Sequence, residues 1–104
     1  MSSTGSGWFT FFAEEVVDQL DPGVQGFLYK SSILPRLEPE VCDRILGRTG
    51  SKKILEMLCK RNLFTYPLAG PGEAYRYHHL FHEFLRDRLG RTYPEGEIRR
   101  LRRP

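Results

Sequence analysis

Three histidines lie within five positions of each other in the C-terminal half of the chain, His78, His79 and His82. Imidazole both donates and accepts hydrogen bonds near neutral pH, so these side chains could bind an anion or a metal ion. Before His78, Tyr75 and Tyr77 alternate with other residues as in a β-strand. After it, apolar residues recur at helical spacing: Leu80, Phe81, Phe84, Leu85 and Leu89.

His78 therefore lies where a strand is predicted to end and a helix to begin. The first backbone N–H groups of a helix lack partners within the helix, and its dipole is positive there, so this position favours anions such as phosphate. A histidine at a strand end can equally be hydrogen-bonded to nearby backbone, and His79 or His82 could be exposed to solvent. The residue types alone leave both interpretations open.

A metal site is the weaker interpretation of the same residues. His78 and His82 are four residues apart, but only His79 and Glu83 could complete the set, and no cysteine is near. We predict that the chain binds no metal.

The elements around the histidines follow from periodicity and from residues that begin or end helices. A first helix is predicted over 8–20. A second begins at Asp21-Pro22, an acidic N-cap followed by proline, and continues to about Leu34, where Pro35 interrupts it.

A third helix is predicted to follow Glu38-Pro39-Glu40 and to end at Gly47. Ser51 is predicted to cap a fourth helix that runs over 51–62. These two helices and the turn between them form a helix–turn–helix.

The period changes after Asn62. Aromatic residues and Pro67 over 63–68, the turn 69–73 and the strand 75–77 predict a β-hairpin, followed by a helix over 80–93. A helix–turn–helix followed by a hairpin predicts a winged helix. The fold class is therefore α+β but mostly α, with a two-stranded wing and flanking helices.

Composition limits the chain to one small domain of ordinary globular character. The chain has 104 residues, of which 39% are hydrophobic and 28% charged, and no apolar run approaches a membrane span. We predict a flexible leader over 1–7, the winged-helix domain over 8–93, and over 94–104 either a basic tail or the start of a following helical region. Residues 1–85 are near neutral, with nine basic and ten acidic residues, so the net charge of +3 comes from the end of the chain. That end has three acidic residues and seven arginines: Arg86, Arg88, Arg91, Arg99, Arg100, Arg102 and Arg103.

The two cysteines, Cys42 and Cys59, fall in helical patterns and not in a Cys-x-x-Cys arrangement. We interpret them as reduced, buried thiols of a cytoplasmic protein.

The sequence shows no catalytic machinery. The segment 47–53 has glycines, lysines and a serine like a phosphate-binding loop, but its spacing differs and it joins two helices. We predict that the chain is not an enzyme.

Six segments of the chain form a specific combination: Phe12-Ala-Glu-Glu-Val16, Gly26 to Leu34, Leu37 to Asp43, Leu55 to Arg61, Asn62-Leu-Phe64 and Tyr75-Arg-Tyr-His-His-Leu-Phe81. Together they resemble the winged-helix domain of the bacterial MalT-like regulators, over positions 12 to about 90. These regulators are LuxR-type, ATP-dependent transcriptional activators of the signal-transducing ATPase class.

The resemblance implies a regulatory role that depends on neighbouring domains. In the wider class, a Met-His-Asp motif places its histidine on the β-phosphate of ADP and holds the protein closed. Tyr77-His78-His79 falls on that motif, with Tyr for Met and His79 for Asp. His78 is thus the expected ADP contact, together with an adjoining nucleotide-binding domain. The isolated domain would need no cofactor, whereas the parent protein would use ATP and ADP. Its partners would be the nucleotide-binding and helical-repeat domains of the same polypeptide. No contact with a membrane is expected.

The alternative function is direct DNA binding by helix 51–62 and the wing. Glu56 and Glu73 oppose the positive charge of these elements, and the basic count is modest for phosphate binding. The basic residues that would contact DNA are Lys52, Lys53, Lys60, Arg61 and Arg76.

A third possibility is a plain interaction module. Trp8, Phe9 and the pair Phe11-Phe12 are more aromatic surface than one helix face buries, so they could dock a neighbouring domain. They could equally pack on the domain's own core.

Overall fold

The computed structural model describes residues 7–102, which form six helices and one hairpin. Residues 1–6 of the predicted leader lie outside the described residues, and Gly7 already begins the first helix. The elements in chain order are α1 (Gly7–Asp18), α2 (Pro22–Ser31), α3 (Pro39–Leu46), α4 (Ser51–Lys60), β1 (Thr65–Pro67), β2 (Tyr75–Tyr77), α5 (His79–Thr92) and α6 (Glu95–Arg102).

The second helix ends earlier than its apolar pattern predicts. Asp21 occupies the N-cap position, but its side chain makes no capping hydrogen bond. The helix ends at Ser31, and the Ser32 hydroxyl donates to the carbonyl of Tyr29 at 2.6 Å. Such a local bond competes with the continuing helix, so Ile33 and Leu34 lie in the connection to α3.

The helix–turn–helix of α3 and α4 forms where the sequence predicts it. Gly47, with φ 63°, ends α3, and Gly50, with φ 84°, precedes α4. Both residues lie in the left-handed region, which glycine adopts without a steric cost. The two glycines therefore fix the tight turn between the helices.

Ser51 does not cap α4 as predicted. It is the first residue of the helix, and its buried hydroxyl has no hydrogen-bond partner. Its backbone N–H donates instead to Oδ1 of Asp43 at 3.1 Å. The capping carboxylate thus comes from the preceding helix, and it links the two helices of the pair.

The wing is an antiparallel hairpin with a third backbone segment at its edge. Thr65 pairs with Tyr77, and Pro67 pairs with Tyr75. On the other side of β2, Leu37 and Tyr75 exchange two backbone hydrogen bonds of 2.8 and 2.9 Å. The first strand is shorter than predicted because Phe64 has a positive φ of 58°, which is incompatible with a strand.

One apolar core joins the helices to the inner face of the wing. Tyr77 and Phe81 are fully buried, and Tyr75 is 6% exposed. Of the two free cysteines Cys42 is buried, and burial, with Asp43 and Glu38, raises the pKa of its thiol to about 11. Cys59 is only half-buried, so the prediction of two buried thiols was wrong for it.

A polar contact fixes α5 against the end of α2. The carbonyl of Ser32 accepts from Nε2 of His82 at 2.7 Å and from Nε of Arg86 at 2.9 Å. Beside it, the hydroxyls of Ser31 and Tyr77 are 2.7 Å apart and both buried. Of the two histidines that could have been exposed, His79 is exposed, whereas the ring of His82 is half-buried and donates to a backbone carbonyl.

The Asp43 cap gives a direct test. Asp43→Ala should lower the free energy of unfolding by about 1 kcal/mol, because the first turn of α4 loses its acceptor. Ser51→Ala is the matched control and should cost nothing, since its hydroxyl makes no hydrogen bond. Urea unfolding followed by circular dichroism measures the free energy of unfolding of both variants. A larger loss in Ser51→Ala than in Asp43→Ala would contradict the assignment of Asp43 as the cap.

His82 makes stability depend on pH. Burial lowers the pKa of its imidazole, with nearby Arg86 and Arg76 acting in the same direction and the Ser32 carbonyl opposing them. The folded chain then binds fewer protons than the unfolded chain below the ordinary histidine pKa of about 6.5. The free energy of unfolding should therefore fall as pH drops from about 6.5 towards the lowered pKa.

Urea unfolding at a series of pH values tests this expectation. The fall should be smaller in His82→Gln, whose side chain does not titrate. His79→Gln is the control, since the exposed His79 ring should leave the fall unchanged. An equal fall in the His82 variant and in the unsubstituted chain would contradict the role of this ring.

Candidate functional site

His78 lies at the junction of the wing and α5, as its position in the sequence predicts. It follows directly after β2 and is the N-cap residue of α5. Its backbone N–H donates to the carbonyl of Phe64 at 2.8 Å. Its ring Nδ1 accepts from the backbone N–H of Leu80 at 3.2 Å. Backbone and side chain are thus both fixed, while the side chain is exposed to solvent.

The capping bond determines which proton the ring can offer. Because Nδ1 accepts a hydrogen bond, the neutral ring carries its proton on Nε2. An Nε2–H group can donate to an oxygen of an anion outside the domain. The cap also occupies one of the N–H groups at the start of α5, so an anion there would meet the imidazole and the other N–H groups of that turn.

Two neighbouring rings support the imidazole. The ring of Phe9 on α1 is stacked with it at 6.3 Å between centroids, and the ring of His79 at 5.3 Å. Phe9 is 6% exposed, so one side of this stack belongs to the core. His79 is exposed, and it has an imidazole where the Met-His-Asp motif has the carboxylate of its aspartate.

Phe64 holds the strand end that anchors His78. Its φ of 58° is rare for an aromatic residue and costs on the order of 1 kcal/mol. Its ring is packed among three others, with centroid distances of 5.2 Å to Phe9, 6.0 Å to Phe12 and 5.0 Å to Phe81. This packing offsets the strained backbone, and it connects the Asn62-Leu63-Phe64 segment with His78. No turn-forming residue at position 64 signals this conformation in the sequence.

The aromatic residues of α1 divide between core and surface. Phe9 packs in the core, whereas Trp8 is 68% exposed, Phe11 67% and Phe12 49%. We call Trp8, Phe11 and Phe12 the α1 aromatic surface. It adjoins His78 through Phe9, whose ring contacts both the indole of Trp8 at 5.8 Å and the imidazole. The site therefore combines one hydrogen-bond donor with an exposed apolar surface.

The residues of the DNA-binding alternative are all exposed, but acidic residues lie among them. Lys52, Lys53 and Lys60 share the outer side of α4 with Glu56. The ammonium group of Lys52 lies 3.4 Å from the carboxylate of Glu73 on the wing, which offsets part of its charge.

Arg61 and Arg76 contribute less to that surface. Arg61 is the C-cap residue of α4 and points a guanidinium nitrogen at the sulfur of Met57, 4.0 Å away. Arg76 alternates with the buried Tyr75 and Tyr77, so its side chain leaves the hairpin on the opposite, outward face. Its charge acts on His82 of α5.

The structure also bears on metal binding and on insertion into a membrane. Within residues 7–102, no three His, Cys, Asp or Glu side chains come close enough to share a metal ion. No helix in that same part of the chain is both long enough and apolar enough to cross a bilayer.

Comparison with known proteins gives the family. A family model described as the MalT winged helix domain matches residues 13–97. The HTH-type transcriptional regulator MalT of Vibrio campbellii is 37% identical over 88 residues, which are 84% of this chain and 10% of that protein. The regulator of the same name from Klebsiella pneumoniae (strain ATCC 700721) is 35% identical over 78 residues, 75% of this chain and 9% of that protein.

The regulator MalT of Vibrio cholerae is 33% identical over 87 residues. This chain thus spans only about a tenth of the length of the curated relatives that it matches. The family match covers α2 to α5 entirely, and it agrees with the helix–turn–helix and hairpin that the structure contains. The winged-helix prediction is confirmed, and the chain belongs to the family of MalT winged helix domains.

Proposed function

We propose that this chain is the regulatory winged-helix domain of a larger ATP-dependent transcriptional regulator. Its role is to relay nucleotide state and inducer binding to neighbouring domains. The family match and the names of the relatives, HTH-type transcriptional regulators, support the general role. The length of those relatives leaves room for the nucleotide-binding and helical-repeat domains that the proposal requires.

The position of the His78 ring carries the proposal. The ring is exposed, its Nδ1 is engaged by the Leu80 N–H, and its Nε2–H is free to donate outward. In the closed state His78 donates to the β-phosphate of ADP held by the adjoining nucleotide-binding domain. The positive end of α5 adds to this attraction. Because this chain supplies one donor and no phosphate-binding loop, the isolated domain should bind ADP weakly.

The α1 aromatic surface gives the closed state its area of contact. Trp8 and Phe11 expose large rings that the domain's own core leaves uncovered. Burying such rings against a neighbouring domain is favourable, and the loss of that contact would be the main cost of opening. When inducer binds and ATP replaces ADP, His78 loses its phosphate partner and the domain moves away.

Substitution of His78 in the parent polypeptide tests the relay. His78→Asn should release ADP roughly tenfold faster or more, because one hydrogen bond to a charged phosphate is lost. Asparagine is itself a good N-cap, so α5 should keep its first turn. Release of a fluorescent ADP analogue measures the rate, and the unfolding transition of the isolated domain checks that the fold is kept.

Two further results decide the interpretation. His79→Asn should leave the release rate unchanged, since the proposal gives that ring no phosphate contact. If His78→Asn and the parent polypeptide release ADP at the same rate and show the same inducer dependence, the phosphate role is wrong.

Direct DNA binding is the second candidate, because Lys52, Lys53 and Lys60 are exposed on the helix that reads DNA in other winged helices. Glu56 on the same side and the pairing of Lys52 with Glu73 oppose it. We expect no saturable binding of a labelled duplex at low salt in a fluorescence anisotropy titration. Saturable binding that disappears in the double variant Lys52→Ala, Lys53→Ala would establish DNA binding instead.

A further inference from the structure

A second candidate site lies where α2, α3 and α6 meet. A groove of about 240 Å³ there is lined by Lys30 from α2, Arg44 from α3 and Arg100 from α6. We call it the α3/α6 groove. Its three cations come from three separate helices, so their convergence is a property of the fold and not of one charged segment.

The charge in this groove is unbalanced. Glu97 is the single acidic residue that lines it, against three cations. Within the described residues, Lys30, Arg44 and Arg100 form no salt bridge, whereas Arg99, the neighbour of Arg100, pairs with Glu95 at 3.1 Å. The cations of the lining outnumber its acidic residues three to one, so the groove carries a net positive charge.

The groove also has an apolar part and one oriented cation. Ile45, Leu46 and Leu101 line it and are only partly buried. The ammonium group of Lys30 lies 5.3 Å from the centre of the Tyr93 ring, a cation–π contact that directs this side chain. A matching partner would thus present both negative charge and an apolar side chain.

Charge compensation within the helices explains only part of this arrangement. Lys30 and Arg44 lie in the last turns of α2 and α3, where cations offset the helix dipole. Arg100 lies in the last turn of α6 and can act in the same way. That role does not explain the partly exposed apolar residues between the cations.

We propose that the α3/α6 groove binds an acidic protein segment in which carboxylates flank an apolar side chain. The groove is shallow, and its two arginines are exposed, so it would not enclose a small molecule as ligand pockets do. Guanidinium groups bind carboxylates through two parallel hydrogen bonds, and the apolar residues give the central side chain a surface to bury. This site is separate from His78 and does not depend on a nucleotide.

The test uses a short fluorescein-labelled peptide in which glutamates flank a central leucine. The peptide is titrated into the chain and followed by anisotropy, and amide chemical shifts locate where it binds. Arg100→Gln and Arg44→Gln should each weaken binding roughly three- to tenfold. The matched control is Arg99→Gln, an arginine on the same helix that does not line the groove, and it should leave the affinity unchanged.

Three results would overturn the proposal. The first is an equal loss of affinity in Arg99→Gln and Arg100→Gln, which would mean that only general positive charge attracts the peptide. The second is unchanged affinity when serine replaces the central leucine, which would remove the role of the apolar residues. The third is displacement of the peptide by tripolyphosphate at far lower concentration than by unlabelled peptide, which would identify the groove as a phosphate site.

Discussion

The hydrogen bond between the backbone N–H of His78 and the carbonyl of Phe64 fixes the register on which the candidate site depends. It closes the wing at the end opposite its turn and sets the residue at which α5 begins. Phe64 can offer that carbonyl because its backbone turns out of the strand direction, at φ 58°. The energy that keeps it there comes from three neighbouring rings, so the geometry of a surface imidazole rests on the packing of an aromatic core.

Local pattern predicted most of the fold. The positions of Gly47 and Gly50, the change of period after Asn62 and the alternation of Tyr75 and Tyr77 each depend on near neighbours in the chain. The predicted helix–turn–helix and hairpin followed from them, as did the place of His78 between strand and helix. The spacing of residues could not assign His78 to the Met-His-Asp motif. Only the resemblance to the family made that assignment.

The features that escaped prediction depend on residues far apart in the chain. Asp43 caps α4 because α3 lies beside it, and Ser51, which the sequence predicts as the cap, is already inside the helix. His82 is half-buried because Ser32, fifty positions earlier, offers it a carbonyl. The left-handed Phe64 has no turn-forming residue type to announce it. In each case tertiary packing overrides a correct local rule.

The basic residues of this domain are paired with acidic residues to different extents on its two basic surfaces, the outer side of α4 and the α3/α6 groove. On α4 the lysines share their surface with Glu56, and Lys52 pairs with Glu73 of the wing, so acidic residues offset part of their charge. In the α3/α6 groove three cations share one carboxylate. The formal net charge of +3 therefore describes neither surface. Location, and not total charge, distinguishes a solvated face from a candidate interface.

Helix α5 connects the two candidate sites mechanically. His78 precedes its first residue, and Tyr93, which contacts Lys30 of the groove, follows its last. Its 14 residues span about 21 Å. Phe81, Phe84, Leu85 and Leu89 bury one side of this helix in the core, and the Ser32 carbonyl holds it against the end of α2. The domain therefore keeps a set spacing between whatever binds near the imidazole and whatever binds near Tyr93.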